Sequence, residues 1–250
     1  WFDRDKTTGA FDMRLIAASV LPVIILMIFF YSRDKFEKEP PKTLFKAFSG
    51  GVLSAFLAVI LAVSMSFPLP ETSSAGYAAF IQSFWEAAVP EEISKFALLY
   101  LFIWRDKNFN EYYDGILYAV FVSLGFACVE NFLYLMEHGM SIAMSRALLA
   151  VPLHALCGVI MGYYFSLARF TGRKISNLLK AVLLAILAHG VYDFILFFLQ
   201  PYVELSPVVG LLSTVLVFGF VGLLWKISLG KIRNHVNNSV FRYNKPDELV

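Results

Sequence analysis

Long apolar runs separated by short polar stretches recur along the whole chain. Leu15–Tyr31 holds 17 residues and no charge, and Ala47–Pro70 holds 24 and no charge. Ala78–Trp104 is apolar except for Glu86, Glu91, Glu92 and Lys95. Gly115–Met136 carries only Glu130, and Ala147–Ala168 only His154. Ala181–Val203 carries His189 and Asp193, and Leu205–Trp225 carries no charge. Runs of about 18 or more apolar residues read as membrane-spanning helices. They are too long and continuous for the strands of a membrane barrel. The pattern predicts an all-α polytopic bundle of about seven transmembrane helices. The spans fall near residues 13–31, 47–70, 78–104, 114–136, 147–168, 180–203 and 205–226. Short loops and the absence of repeats predict one membrane-embedded domain over residues 1–250. The first span reads as a retained helix, because a basic stretch follows it and no small-residue cleavage site is present.

Composition agrees. Hydrophobic residues make up 58% and charged residues 16%, against roughly 45–50% and 25% in soluble domains. A net charge of +2 and this apolar content exclude a disordered chain and a nucleic-acid partner. Cys128 and Cys157 lie inside apolar runs and read as small hydrophobes. Lys and Arg set the orientation. Sixteen of the 21 fall in the stretch after span 1, the loops after spans 3 and 5, and the C-terminal end. That places the N-terminus outside and the C-terminus inside.

Charges at the centre of a span cost about 2.5–3.5 kcal/mol each, so they face a bundle interior and mark function. Spans 3 to 6 carry them and spans 1, 2 and 7 do not. Glu91 and Glu92 follow Pro90, which kinks the helix or begins a new one. Lys95 lies one turn after Glu91 and partners it. His189 and Asp193 are four apart, so the acid orients the imidazole. Arg146 stands at the outer end of span 5, eight residues before His154. At about 1.5 Å per residue, Glu91, Glu130, His154 and Asp193 fall in the middle or outer half of the membrane. The inner half holds nothing similar.

Two chemistries fit such a cavity. A carboxylate activates water while imidazoles polarise the carbonyl, or His154, His189 and Glu130 hold a metal, most simply Zn²⁺. The HExxH motif of many zinc hydrolases and the GxSxG of serine hydrolases are both missing from the sequence. The competing class is a proton-coupled transporter using the same residues as a relay. Against it, no matching pair of interrupted helices occurs in the two halves.

Glu91-Glu92-x-x-Lys95, Phe126-x-x-x-Glu130, Arg146 with His154 eight residues on, and His189-x-x-x-Asp193 resemble, in this order, the motifs of the PrsW family of intramembrane proteases. The stretch Tyr31–Pro40 resembles that family's N-terminal region, and the likeness covers about residues 14–230. Related prenyl endopeptidases carry Arg where this chain has Lys95 and His where it has Glu130, which argues against a prenylated substrate. The resemblance implies site-1 cleavage of a membrane-spanning anti-sigma factor, in a bacterial or archaeal plasma membrane, as part of a stress response. It implies that Glu91 or Glu92 activates water, that His189 with Asp193 binds metal or stabilises the oxyanion, that Glu130 and His154 complete the site, and that Lys95 and Arg146 balance charge.

Overall fold

The computed structural model describes residues 13–70, 72–203 and 205–243. Among them there are helices and no strand. The principal helices are α1 (Met13–Arg33), α2 (Pro41–Met65), α3 (Ala75–Phe80), α4 (Val89–Ile103), α5 (Tyr112–His138), α6 (Ala143–Ser145), α7 (Val151–Phe170), α8 (Lys174–Val203) and α9 (Pro207–Asn237). A π-helical turn, Ile81–Ala88, joins α3 to α4, so residues 75–103 run on as one rod. A second π turn, Arg146–Ala150, joins α6 to α7. Among the described residues six helices are long and apolar enough to cross a membrane, and the interrupted rod 75–103 stands beside them as a seventh long helical element.

Prolines set several boundaries. Helix α2 starts at Pro41 and ends at Met65, where the apolar run alone points to 47–70. Pro at a first helical position costs no backbone bond, so the helix reaches back over Lys42 and Lys46. Pro68 and Pro70 bias their predecessors to extended backbone, so the last apolar residues of that run are not helical. Helix α9 continues past the apolar stretch to Asn237, carrying Lys226, Lys231 and Arg233 beyond it.

Helix α5 is the axis of the bundle. Every residue from Tyr113 to Ala127 is buried, and α5 packs against α1, α2, α4, α7 and α9. Contact this close needs small residues, since apolar helices in lipid associate by packing rather than by water exclusion. Gly51 of α2 faces the Val122 carbonyl, and Gly125 of α5 faces the Phe48 carbonyl; a Cβ at either would overlap backbone. Gly158 and Gly162 of α7 lie against Ala119 and Gly115 of α5 in the same way. The outward faces are apolar, with Leu21, Ile25 and Ile28 of α1 and Val59, Ile60 and Val63 of α2 exposed. Cys157 is buried, Cys128 half-buried, and both are free thiols.

The Lys/Arg-rich end holds a feature that contradicts the expectation of an inner half without buried acids. The loop after α1 folds inward, burying Asp34 and Glu39 against Glu111 and Asp114 at the start of α5. Tyr118 donates to Glu39, Ser239 donates to Glu111, and Asp114 Oδ2 accepts from the Asn110 and Glu111 amides at 2.9 and 2.7 Å. Asp34 Oδ1 and Asp114 Oδ1 are buried without partners. Lys38, the nearby cation, donates to the backbone carbonyls of Tyr31 and Asp34. Burial first, then the charge of Asp114, pushes the Glu39 carboxyl up to about 10. Burial raises Asp34 to about 6, against the Glu39 amide that lowers it. Burial raises Glu111 to about 7, against the Ser239 hydroxyl. In the sequence these residues read as ordinary loop and helix-cap charges.

Candidate active site

Both π turns precede a Val-Pro pair. Proline lacks an N–H, and its ring crowds the carbonyl four residues back. The chain relieves this by widening the preceding turn. Val89 N–H bonds to Phe84 and Val151 N–H to Arg146, each five residues back. Pro90 therefore neither breaks the helix nor starts a new one; it forces a π turn within a continuous rod. Such turns are frequent at functional sites.

The second π turn also explains a spacing. Eight residues at about 100° each would leave Arg146 and His154 about 80° apart around a regular helix. A π turn absorbs about one extra residue, which brings the pair to within about 20° of the same face. Both then reach one atom. Arg146 Nη2 is 2.9 Å and His154 Nε2 is 2.7 Å from Glu130 Oε2.

From Glu130 a chain of polar contacts runs inward. Lys95 is fully buried, and its ammonium has three partners: Glu92 Oε1 at 2.7 Å, His154 Nδ1 at 3.0 Å and Glu91 Oε2 at 3.2 Å. An ammonium carries three donors and no acceptor, so all three are used. His154 Nδ1 must accept from Lys95, which leaves its proton on Nε2 to donate to Glu130. His189 is flanked by acids, with Glu92 Oε1 2.8 Å from Nδ1 and Asp193 Oδ2 3.2 Å from Nε2. The two imidazoles meet edge to face at 5.2 Å. Phe126, one turn before Glu130, lies beneath the Lys95 ammonium at 3.9 Å.

All eight residues singled out in the sequence therefore lie in one network: Glu91, Glu92, Lys95, Glu130, Arg146, His154, His189 and Asp193. The two acids of the pair differ. Glu92 is fully buried and its Oε2 has no partner, whereas the Glu91 side chain is 17% exposed. Glu91 borders a cavity of about 520 Å³, which also reaches Glu130, His154, His189, Asp193 and Tyr192. A second cavity of about 220 Å³ lies between α2 and α5 and shares Glu91, Glu130 and Tyr134 with the first. Glu86 lines it.

Sequence reasoning passed over Asn131. Its Oδ1 accepts from Arg146 Nε at 2.8 Å, and its amide donates to the Ser19 carbonyl at 3.3 Å, tying the site to α1. The available signal was a second polar residue beside Glu130 in an apolar span. Tyr134, which stacks under the Arg146 guanidinium at 4.1 Å, gave only the signal of sharing a face with Glu130.

Two carboxylates and two imidazoles, from Glu91, Glu92, His154 and His189, offer ligand atoms within 4.8 Å of one another. This donor set and the unpartnered, buried Glu92 Oε2 fit a divalent metal, since a catalytic zinc takes three protein ligands of this kind plus water. Glu130, expected among the ligands, stands outside this group because Arg146 and His154 occupy its carboxylate.

An acid-and-imidazole cluster beside a cavity inside an apolar helical bundle has the makeup of an intramembrane hydrolase. A family model described as PrsW family intramembrane metalloprotease matches residues 39–223. Protease PrsW of Bacillus subtilis (strain 168) is 38% identical over 191 residues, covering 76% of this chain and 85% of that protein. Protease PrsW of Geobacillus kaustophilus (strain HTA426) is 42% identical over 183 residues, 73% and 79%. Protease PrsW of Clostridioides difficile (strain 630) is 34% identical over 236 residues, 91% and 93%. No solved structure matches the chain. The chain belongs to the PrsW family of intramembrane metalloproteases. It is a multi-pass membrane peptidase, and transport is not favoured.

Proposed function

We propose that the protein cleaves a membrane-spanning protein such as an anti-sigma factor, at a peptide bond near the extracytoplasmic surface of the cell membrane, as the first cut of a regulatory cascade. The observation that carries the chemistry is the asymmetry of the acid pair. Glu91 borders the cavity and is positioned to take a proton from water. Glu92 is sealed from the cavity and holds Lys95 and His189. A base at such a position contributes about 10²–10⁴-fold in rate.

His189 has an acid at each nitrogen, Glu92 at Nδ1 and Asp193 at Nε2. It can donate to the developing oxyanion and then to the leaving amine while Asp193 fixes its ring. His154 is held neutral between Lys95 and Glu130, and Arg146 anchors that carboxylate from the far side. A metal held by Glu91, Glu92, His154 and His189 would supply Lewis-acid polarisation of the carbonyl and a more acidic water.

A helical substrate hides its carbonyls in its own hydrogen bonds. Unwinding is cheapest where water satisfies the freed backbone groups. The cavity runs toward Gln200 and Val203 at the end of α8, the end that the lysine and arginine distribution reads as extracytoplasmic. The test is a liposome co-reconstitution with a single-span anti-sigma factor, followed by mass spectrometry of the product. The expected new terminus is extracytoplasmic or in the outer leaflet, and Glu91→Gln slows its appearance by about 10²–10⁴-fold. A cytoplasmic terminus, or undiminished cutting by Glu91→Gln, would overturn the proposal.

A further inference from the structure

We infer that Lys95 is the resident cation of the metal-binding cluster, and that a divalent metal enters only by expelling its ammonium group. Three of the four residues that can hold a metal are direct partners of Lys95 Nζ: Glu92 at 2.7 Å, His154 at 3.0 Å and Glu91 at 3.2 Å. The ammonium is fully buried and uses every donor it has. Its fourth side is closed by the Phe126 ring at 3.9 Å, a cation–π contact. These are the surroundings that a metal ion would need, filled by a side chain.

Two consequences follow from elementary chemistry. An imidazole nitrogen that accepts a hydrogen bond from Lys95 has its lone pair occupied, so His154 Nδ1 cannot ligate while the contact stands. A second positive charge within a few ångströms of an ammonium is repelled, and weakly screened in a dry interior. Metal and Lys95 contacts are therefore mutually exclusive. The fourth member, His189, does not touch Lys95, but its nitrogens already face Glu92 and Asp193. Resting on the reading of this cluster as the catalytic centre, the exchange makes the lysine-filled form the resting state. It also makes metal affinity weak for so rich a donor set.

The sign of one measurement decides. A residue that only orients ligands weakens metal binding by about 10–100-fold when removed. A residue that fills the site strengthens it. The full-length protein in detergent micelles is titrated with Zn²⁺ against a chelating dye, and with Co²⁺ by visible absorption. Lys95→Met and Lys95→Gln, neutral side chains of similar length, should bind both metals at least about tenfold more tightly than wild type. Lys95→Arg, which keeps the charge, should not. Equal or weaker binding by the neutral variants would overturn the inference. Should those variants not fold, the wild type suffices. Zinc then exchanges readily into a mild chelator, whereas one equivalent retained through that treatment overturns the inference. Metal affinity is read without substrate, so this outcome stands apart from whether the protein cuts an anti-sigma factor.

Discussion

Helix α5 carries two buried acidic clusters about 24 Å apart, at Asp114 and at Glu130, and they are built on opposite rules. At the Glu130 end, Glu91, Glu92, Glu130 and Asp193 meet Lys95, Arg146 and the His189 imidazole. At the Asp114 end, Asp34, Glu39, Glu111 and Asp114 meet tyrosine and serine hydroxyls and backbone amides, while Lys38 turns to carbonyls. One cluster neutralises charge with counter-charge and the other by keeping protons. Counter-charge sets the carboxylates of the first beside cations; in the second, buried acids accept from Tyr118, Ser239 and backbone amides, which ties the loop after α1 to the start of α5 and to Ser239. On this contrast we assign the chemistry to the first arrangement and the fastening to the second.

The largest effect that separates them is on turnover. Glu91→Gln should cost about 10²–10⁴-fold in cleavage rate, with membrane insertion and unfolding unchanged. Glu39→Gln should leave the rate within about twofold of wild type, since a neutral amide replaces a carboxyl that is already protonated. Parallel cleavage assays of the two variants would sink the division of labour if their losses were similar.

Stability separates them next. Glu92→Leu leaves Lys95 with one partner fewer in a dry site, and breaking a buried pair in this way costs about 3–5 kcal/mol. Denaturant unfolding in mixed micelles should show that loss, with part of it recovered in the double variant Glu92→Leu, Lys95→Met. An additive double variant would mean that the two residues are not coupled.

The third contrast is in pH. A carboxyl held above its ordinary value binds its proton more tightly folded than unfolded, so stability falls as pH rises. The contribution is complete below pH 4. It declines as the pH passes about 6 for Asp34 and about 7 for Glu111, and further toward about 10 for Glu39. Thermal unfolding between pH 5 and 9 should show this decline, and Glu39→Gln should flatten its alkaline part. A wild-type stability that rises over that range would contradict the proton-keeping account.

Smaller effects come from the frame that holds both clusters on one helix. Gly51→Ala places a methyl on the Val122 carbonyl, and overpacking of this kind costs about 1–3 kcal/mol. The exposed Lys46–Asp106 pair, at 2.7 Å, should contribute no more than about 1 kcal/mol when broken by Lys46→Ala. A larger loss there would point to a hidden link with the inner acids.

The sequence displayed much of the outer cluster and almost none of the inner one. Ionisable residues stand out against apolar spans, and four-residue spacings put Glu91 with Lys95 and His189 with Asp193 on shared faces. Asp34, Glu39 and Glu111 lie among other polar residues, where burial leaves no mark in composition. Only the inward fold of the loop before Pro40 reveals them. The apolar runs missed helix ends that proline sets, as at Pro41 where the run pointed to 47, and those where apolar residues continue past a break. Packing at Gly158 and Gly162 could have been read from their four-residue spacing. Which acid of the pair borders the cavity depends on side-chain rotation that no spacing encodes.

The π turn between Arg146 and His154 bears on inheritance. A membrane helix tolerates a gain or loss of one residue badly, because everything beyond the change rotates by about 100°. Here the extra residue is already stored in the wall of the helix. A descendant that lost Leu148 could close the turn to a regular helix and keep both side chains toward Glu130, provided that Pro152 were also replaced. The eight-residue spacing and the Val151-Pro152 pair inside it are thus mechanically linked, so that a change in one calls for a change in the other.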